Sequence, residues 1–238
     1  MILLSAIVLA QSVFTYSDSQ GDMVIRANNG LGTMTASGWQ FDLRGKVNLV
    51  SKKEKISLTA SQVKADIAAG KDAKGANSIK SAVATGGVII TQSADSQTAK
   101  LNSSTATYKA LGTNGQVDAR GSVRIETINS QKKQTLVATG SSGTAILNKS
   151  SRKGIESATL NGPVRVQIVQ SAGEASTIIF TGNKLTLSGN QVTLTGNVKA
   201  SGQGANRFGN LGNVDSVVAM LNDKGEMTSF KFRSGSSQ

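Results

Sequence analysis

Few kinds of side chain in this sequence could carry out chemistry. The 238 residues include no histidine and no cysteine, which removes the commonest general base, the commonest metal ligand and all thiolate chemistry. Carboxylates such as Asp66, Asp118 and Glu126 are scattered without a paired arrangement. The Gly-Ser-Ser-Gly stretch at 140–143 has no base to activate its serines. We therefore predict that the protein is not an enzyme and has no catalytic residues, no metal site and no cofactor.

Positive charge is the strongest chemical signal that remains. Lysine and arginine number 26 against 14 acidic residues, a formal net charge of +12. Such a surface attracts polyanions, namely nucleic acid, anionic lipid headgroups or phosphorylated glycans. Nucleic acid is disfavoured because aromatic residues that could stack on bases are only 4% of the chain and are spread out. The candidate headgroup-binding residues are Lys46, Lys52, Lys53, Lys149, Arg152 and Lys153, although lysines in turns are also typical of simple solvation.

A repeated pattern predicts the elements that must position these residues. A pattern of an apolar residue, any residue, Gly, any residue and Val recurs five times, as in LRGKVNL from Leu43 and LTGNVKA from Leu194. The glycines are Gly45, Gly86, Gly121, Gly162 and Gly196, spaced by 34–41 residues, and a degenerate sixth copy ends near Gly235. Each copy is followed by an apolar segment with glycine, serine and asparagine at its boundaries. One repeat is therefore predicted to be a pair of antiparallel strands joined by a turn.

The glycine of each copy interrupts a strand with a two-residue period. Leu43, Val47 and Leu49 share one face, while Arg44 and Lys46 share the other, which indicates a sheet with one dry face and one wet face. We expect the glycine on the apolar face, where it marks a bulge or bend that curls the sheet over that face. Relief of crowding in a narrow core is the alternative interpretation. The fold class predicted is all-β: an antiparallel sheet of about five two-strand repeats that curls over its apolar face.

The first ten residues, MILLSAIVLA, have the apolar run and small-residue end of a secretory signal peptide. They lack the usual positive n-region, so a retained strand is the alternative. We expect residues 1–10 to be a signal peptide, with cleavage after Ala10, and residues 11–238 to form a single domain.

The repeated motif resembles the periplasmic lipopolysaccharide-transport proteins of the LptA/LptC/OstA-like family. The resemblance rests on LTGNVKAS, LRGKVNLV and ATGGVIIT, each followed by an apolar return strand, and covers roughly residues 23–232. It implies a fold, a twisted, partly open antiparallel β-jellyroll of about five two-strand repeats. It also implies a role, that of a periplasmic carrier that shields lipid A acyl chains in an apolar groove. The groove-lining residues expected are Val47, Leu49, Leu58, Val88, Ile90, Val123, Ile125, Val164, Val166, Ile179, Leu187, Leu194 and Val198.

The same resemblance implies partners. They are lipopolysaccharide or a related anionic glycolipid, other jellyroll proteins joined end to end, an outer-membrane translocon and an inner-membrane transporter complex. Residues 23–27 and 228–233 are the candidate edge strands for such joining. The main alternative is a structural surface or scaffold protein resembling a β-solenoid and carrying no lipid, although solenoid coils usually repeat at shorter periods.

Overall fold

The computed structural model describes residues 13–18, 21–52, 55–68, 78–94, 97–112, 114–148, 155–171, 175–204, 210–222 and 227–234. Fourteen strands make up these residues: β1 (Phe14–Ser17), β2 (Met23–Ala27), β3 (Asn29–Thr35), β4 (Gly38–Ser51), β5 (Ile56–Ala68), β6 (Ser78–Ala94), β7 (Gln97–Leu111), β8 (Asn114–Asn129), β9 (Gln134–Asn148), β10 (Ile155–Gln170), β11 (Ser176–Ser188), β12 (Gln191–Gly204), β13 (Asn210–Leu221) and β14 (Met227–Arg233). The expected signal peptide lies outside the described residues.

All fourteen strands belong to one open antiparallel sheet. From β4 to β14 each strand pairs with its successor in the chain, and β1 and β14 stand at the two ends of the order. The five Gly-x-Val copies lie on β4, β6, β8, β10 and β12, and each is followed by its return strand. The all-β, open, repeated architecture predicted from the sequence is therefore confirmed.

A β-bulge occurs at the glycine of every copy. The register between β4 and β5 shifts between Arg44 and Val47, and equivalent shifts occur in the other four pairs. Gly121 has a φ of 76° and Ser122 a φ of 51°, so two consecutive residues adopt the left-handed region. Glycine enters this region without steric cost, which explains why it recurs at the first position of the bulge.

The glycines do not lie where the alternating pattern predicted. A Cβ built on Gly121 would stand 2.5 Å from Oγ of Ser104, and one on Gly86 would stand 2.7 Å from Oγ of Ser61. Both serines are exposed and lie on the wet face. The expectation of glycines on the apolar face was wrong, because the bulge rotates the chain between the two inward-facing residues that flank it.

Serine side chains of the return strands complete the bulges. The hydroxyl of Ser61 donates to the carbonyl of Gly86 over 2.8 Å, and that of Ser104 donates to the carbonyl of Gly121 over 3.2 Å. Ser141 donates in the same way to the carbonyl of Asn161 over 3.0 Å. A carbonyl removed from the ladder by the bulge thus gains a donor from the neighbouring strand.

The edge strands differ from the prediction at one end. β14, which contains residues 228–233, is a terminal strand as expected. Residues 23–27 are not an edge, since β1 pairs with β2 along its whole length. The edge of the sheet at this end is formed by β1 and by β3, which pairs with the first half of β4. A short strand that precedes β2 carried too weak a pattern to be recognised.

The left-handed conformation of the second bulge residue can be tested by mutation. Ser122 is a non-glycine residue in the left-handed region, which costs roughly 1–2 kcal/mol. We expect Ser122→Gly to raise the free energy of unfolding by about 1 kcal/mol in urea titrations. Ser142→Gly is the matched control, because Ser142 lies on the next strand without a positive φ. This control should destabilise the protein by about 0.5–1 kcal/mol. Equal effects of both changes would contradict the assignment.

Candidate apolar binding face

One face of the sheet, here called the inner face, carries a continuous line of apolar side chains. Its members pair directly from β2 to β12 and are here called the apolar row: Ile25, Leu49, Leu58, Ile90, Leu101, Ile125, Ala138, Val166, Phe180 and Ala200. Directly paired residues of adjacent strands share a face, so the row crosses ten strands without a polar interruption.

The apolar row is buried at its ends and partly open in its middle. Ile25, Leu49, Val166 and Phe180 are buried, with at most 8% of their surface exposed. Of the five members between Leu49 and Val166, Ala138 is also buried. The other four are consecutive and half-buried, and are here called the middle strip: Leu58, Ile90, Leu101 and Ile125. Four neighbouring large aliphatic side chains therefore retain accessible surface, whereas the other members of the apolar row are buried.

The middle strip spans a division of the core. Leu58 and Ile90 pack against one buried cluster, built from β2 to β7, whereas Leu101 and Ile125 pack against a second, built from β8 to β13. Small inner-face residues lie where the two clusters meet, since Ala106 of the first cluster pairs with Ala119 of the second. Side chains this short leave the strip less covered than its neighbours.

Aromatic side chains close the inner face at both ends. Phe14, Tyr16, Trp39 and Phe41 form one cluster, with ring centroids 4.9 Å apart for Tyr16 and Phe41 and 6.0 Å apart for Trp39 and Phe41. At the other end the rings of Phe230 and Phe232 lie 5.4 Å apart, and Phe180 lies 6.4 Å from Phe230. Aromatic rings bury large apolar areas, so they seal the two ends of a sheet that has no further strand to pack against.

The valines of the motif occupy the bend itself. Val47, Val88, Val123, Val164 and Val198 are between 0% and 2% exposed. The return strands place small residues such as Ala60, Ser103 and Gly140 beside them. The two halves of the sheet close tightly along this line, so these valines have no surface with which to contact a ligand and serve packing instead.

The remaining predicted groove residues divide by face. Leu194 is buried on the inner face and Leu187 pairs there with Ala158, two residues from Leu160. Ile179 departs from the prediction: it lies on the outer face, paired with Gln167, because its neighbours Ile178 and Phe180 are the buried ones. Leu101 was not predicted as a groove residue. Its alternation with the buried Ser103 could have identified it.

The predicted headgroup residues lie apart from the middle strip where they are described. Lys46 occupies the second position of the β4 bulge, exposed on the outer face, and Lys52 is exposed just beyond the end of β4. The other four candidates, Lys53, Lys149, Arg152 and Lys153, lie outside the described residues. Neither of the two described candidates, Lys46 and Lys52, therefore lies at the middle strip.

Charge on the outer face is locally paired near β4. The guanidinium of Arg44 lies 3.4 Å from a carboxylate oxygen of Asp42, and Nζ of Lys64 lies 3.8 Å from the other oxygen. The hydrogen bond from Arg44 is the main cause that lowers the pKa of Asp42. Among the described residues no group of three or more His, Cys, Asp or Glu could hold a metal ion.

Comparison with family models, with curated proteins and with solved structures found no match to this chain. The described part of the chain contains no helix with the length and apolarity of a membrane span.

Ser103 and Ser104 are adjacent at the bend, and their hydroxyl groups differ in burial and hydrogen bonding. The buried hydroxyl of Ser103 has no hydrogen-bond partner among the described residues, whereas that of Ser104 donates to Gly121. We expect Ser103→Ala to raise the free energy of unfolding by about 1 kcal/mol, because an unsatisfied buried hydroxyl is removed. Ser104→Ala should lower it by about 0.5–1 kcal/mol, because a hydrogen bond is lost. Thermal or urea unfolding of both variants measures the difference, and a stabilising Ser104→Ala would contradict this account.

Proposed function

We propose that this protein is a periplasmic carrier that shields the acyl chains of lipopolysaccharide, or of a related anionic glycolipid, against the inner face of its sheet. The observation that carries the proposal is the middle strip. Leu58, Ile90, Leu101 and Ile125 form a partly exposed aliphatic surface flanked by buried members of the apolar row. Shielding each methylene of an acyl chain from water contributes about 0.8 kcal/mol, so a few chains are held without any polar recognition.

The arrangement favours flexible hydrocarbon over a rigid ligand. The strip consists of aliphatic residues, and the charged side chains of the neighbouring positions, such as Arg124 and Glu126, point to the opposite face. Four strands spaced by about 4.8 Å span roughly 14 Å, a length suited to part of an acyl chain. In this proposal the aromatic clusters confine the cargo to the middle of the sheet, and the polar part of the glycolipid stays outside it.

Transport requires neighbours, which the open sheet could supply. We propose end-to-end pairing with other jellyroll proteins through the edge strands, and through them contact with an inner-membrane transporter complex and an outer-membrane translocon. β3 supports this proposal, because it pairs with β4 alone and exposes Leu31 and Met34, which are 67% and 74% accessible. An exposed apolar edge strand is a template for pairing with another chain.

Site-specific photocrosslinking tests the carrier proposal. A photoreactive residue at Ile90, Leu101 or Ile125 should form adducts with added lipopolysaccharide, because these positions border the accessible strip. Val83 is the matched control: it is an apolar residue on the same strand as Ile90, 46% exposed, but on the outer face. Adducts at Val83 equal to those at Ile90 would contradict an inner-face site. The absence of adducts at all four positions would favour a scaffold without lipid cargo.

The edge proposal has its own test. Replacing Leu31 and Met34 with Lys should reduce self-association measured by sedimentation velocity, because charge on an edge strand opposes strand addition. Leu111→Lys is the control, since Leu111 is 43% exposed at the end of β7, inside the sheet. Self-association that persists in the Leu31→Lys, Met34→Lys variant would exclude this edge as the contact.

A further inference from the structure

The outer face of the sheet carries an ordered set of cations along the bulges of β8 to β12. One row, immediately after the bulge, consists of Arg124, Thr139, Arg165, Thr181 and Lys199. A second row, immediately before the bulge, consists of Arg120, Ser142, Asn161, Lys184 and Thr195. These two rows are here called the basic flanks. Their ten positions contain five cations and no acidic residue.

The cations of the first row recur with a fixed spacing. Arg124, Arg165 and Lys199 occupy the same register position on every second strand, each separated from the next by a threonine. Since neighbouring strands lie about 4.8 Å apart, their backbones repeat every 9.5 Å or so. All three side chains are exposed. The Gly-x-Val motif sets this spacing, because Arg124, Arg165 and Lys199 each lie one residue after the valine of the third, fourth and fifth copies.

Small polar residues fill the line between the basic flanks. Ser122, Ser141, Asn183 and Asn197 are exposed there, beside the glycines of the bulges. These side chains are short and offer hydroxyl and amide groups for hydrogen bonds. A linear ligand that runs across the strands would therefore meet low polar groups beneath it and cations at both sides.

Neighbouring acids only partly offset this positive field. Glu126, one row further out, lies 3.5 Å from a guanidinium nitrogen of Arg124. Asp118, on the other side, accepts hydrogen bonds from Thr144 and Gln116, both over 2.7 Å. Arg165 donates to Gln167 over 2.9 Å, a contact between a cation and a neutral group that leaves its charge uncompensated. On β4 to β7 the same two rows contain one cation, Arg44, which is paired with Asp42.

We propose that the basic flanks and the line between them bind a linear acidic polysaccharide with one acidic group per disaccharide. The cation repeat is longer than the separation of successive phosphates in a nucleic acid strand and close to the length of an extended β-linked disaccharide. The ten flank positions and the line between them contain no aromatic side chain on which bases could stack. Hydroxyl and amide side chains suit the hydroxyl groups of sugars. This site lies on the face opposite to the middle strip and does not depend on the proposed carrier function.

Binding of hyaluronan oligosaccharides, which carry one carboxylate per disaccharide, tests the proposal. We expect binding that weakens with added salt, measured by isothermal titration calorimetry at several salt concentrations. The triple variant Arg124→Gln, Arg165→Gln, Lys199→Gln should bind about tenfold or more weakly, because it removes one charge from each repeat. The triple variant Lys80→Gln, Lys109→Gln, Lys231→Gln removes the same charge from exposed positions near the strand ends and should change the affinity by less than about twofold.

Three results would overturn the proposal. Absence of hyaluronan binding at low salt would exclude the ligand class. Equal losses in both triple variants would show that net charge, and not the cation repeat, attracts the ligand. Tighter binding of an oligothymidylate of equal charge, lost in the first triple variant, would assign the surface to nucleic acid. Unchanged thermal unfolding of both variants ensures that a loss of affinity reflects binding.

Discussion

The structure depends on a register constraint at the bulges. In each motif strand the inward-facing residues that flank the bulge are four positions apart, as in Leu43 and Val47. In the return strand the paired inward residues are three positions apart, as in Ala60 and Val63. A strand with an extra residue bends, and repetition of the same bulge on every second strand aligns the bends across the sheet. Both faces acquire their roles from this alignment.

On the inner face the bend determines which apolar residues can be reached. The valines that follow the bulge are enclosed, because the two halves of the sheet meet along that line and the return strands contribute small residues to it. Two residues further along β5 to β8, Leu58, Ile90, Leu101 and Ile125 remain half-buried, whereas Leu49 and Val166 at the equivalent position of β4 and β10 are buried. The end clusters add aromatic packing where no further strand is present. The proposed site for hydrocarbon therefore lies in the middle of the sheet.

On the outer face the same bulges leave a line of glycine, serine and asparagine. Hydroxyls of Ser61, Ser104 and Ser141 satisfy carbonyls that the bulges remove from the ladder, so these small side chains have a structural reason to recur. Their low profile leaves the flanking arginines and lysines prominent. Opposite faces of one sheet thus present an aliphatic surface and a cationic one, and the motif that creates the bend also sets the spacing of the charges.

The sequence by itself determined the fold class, the number of two-strand repeats and the position of the bulge in each copy of the motif. Two-residue alternation and a glycine in constant register are local properties, and local sterics act on them in the same way at each copy. Tertiary structure decided which side of the bulge each residue faces, because consecutive left-handed residues break the alternation on which face assignments from sequence rely. For this reason the glycines were assigned to the wrong face. Ile179 was expected on the inner face because it stands in an apolar run, Ile178 to Phe180, in which the sequence shows no alternation. Burial of the motif valines and exposure of Leu101 also required the complete sheet, since both depend on how closely the two bent halves approach each other.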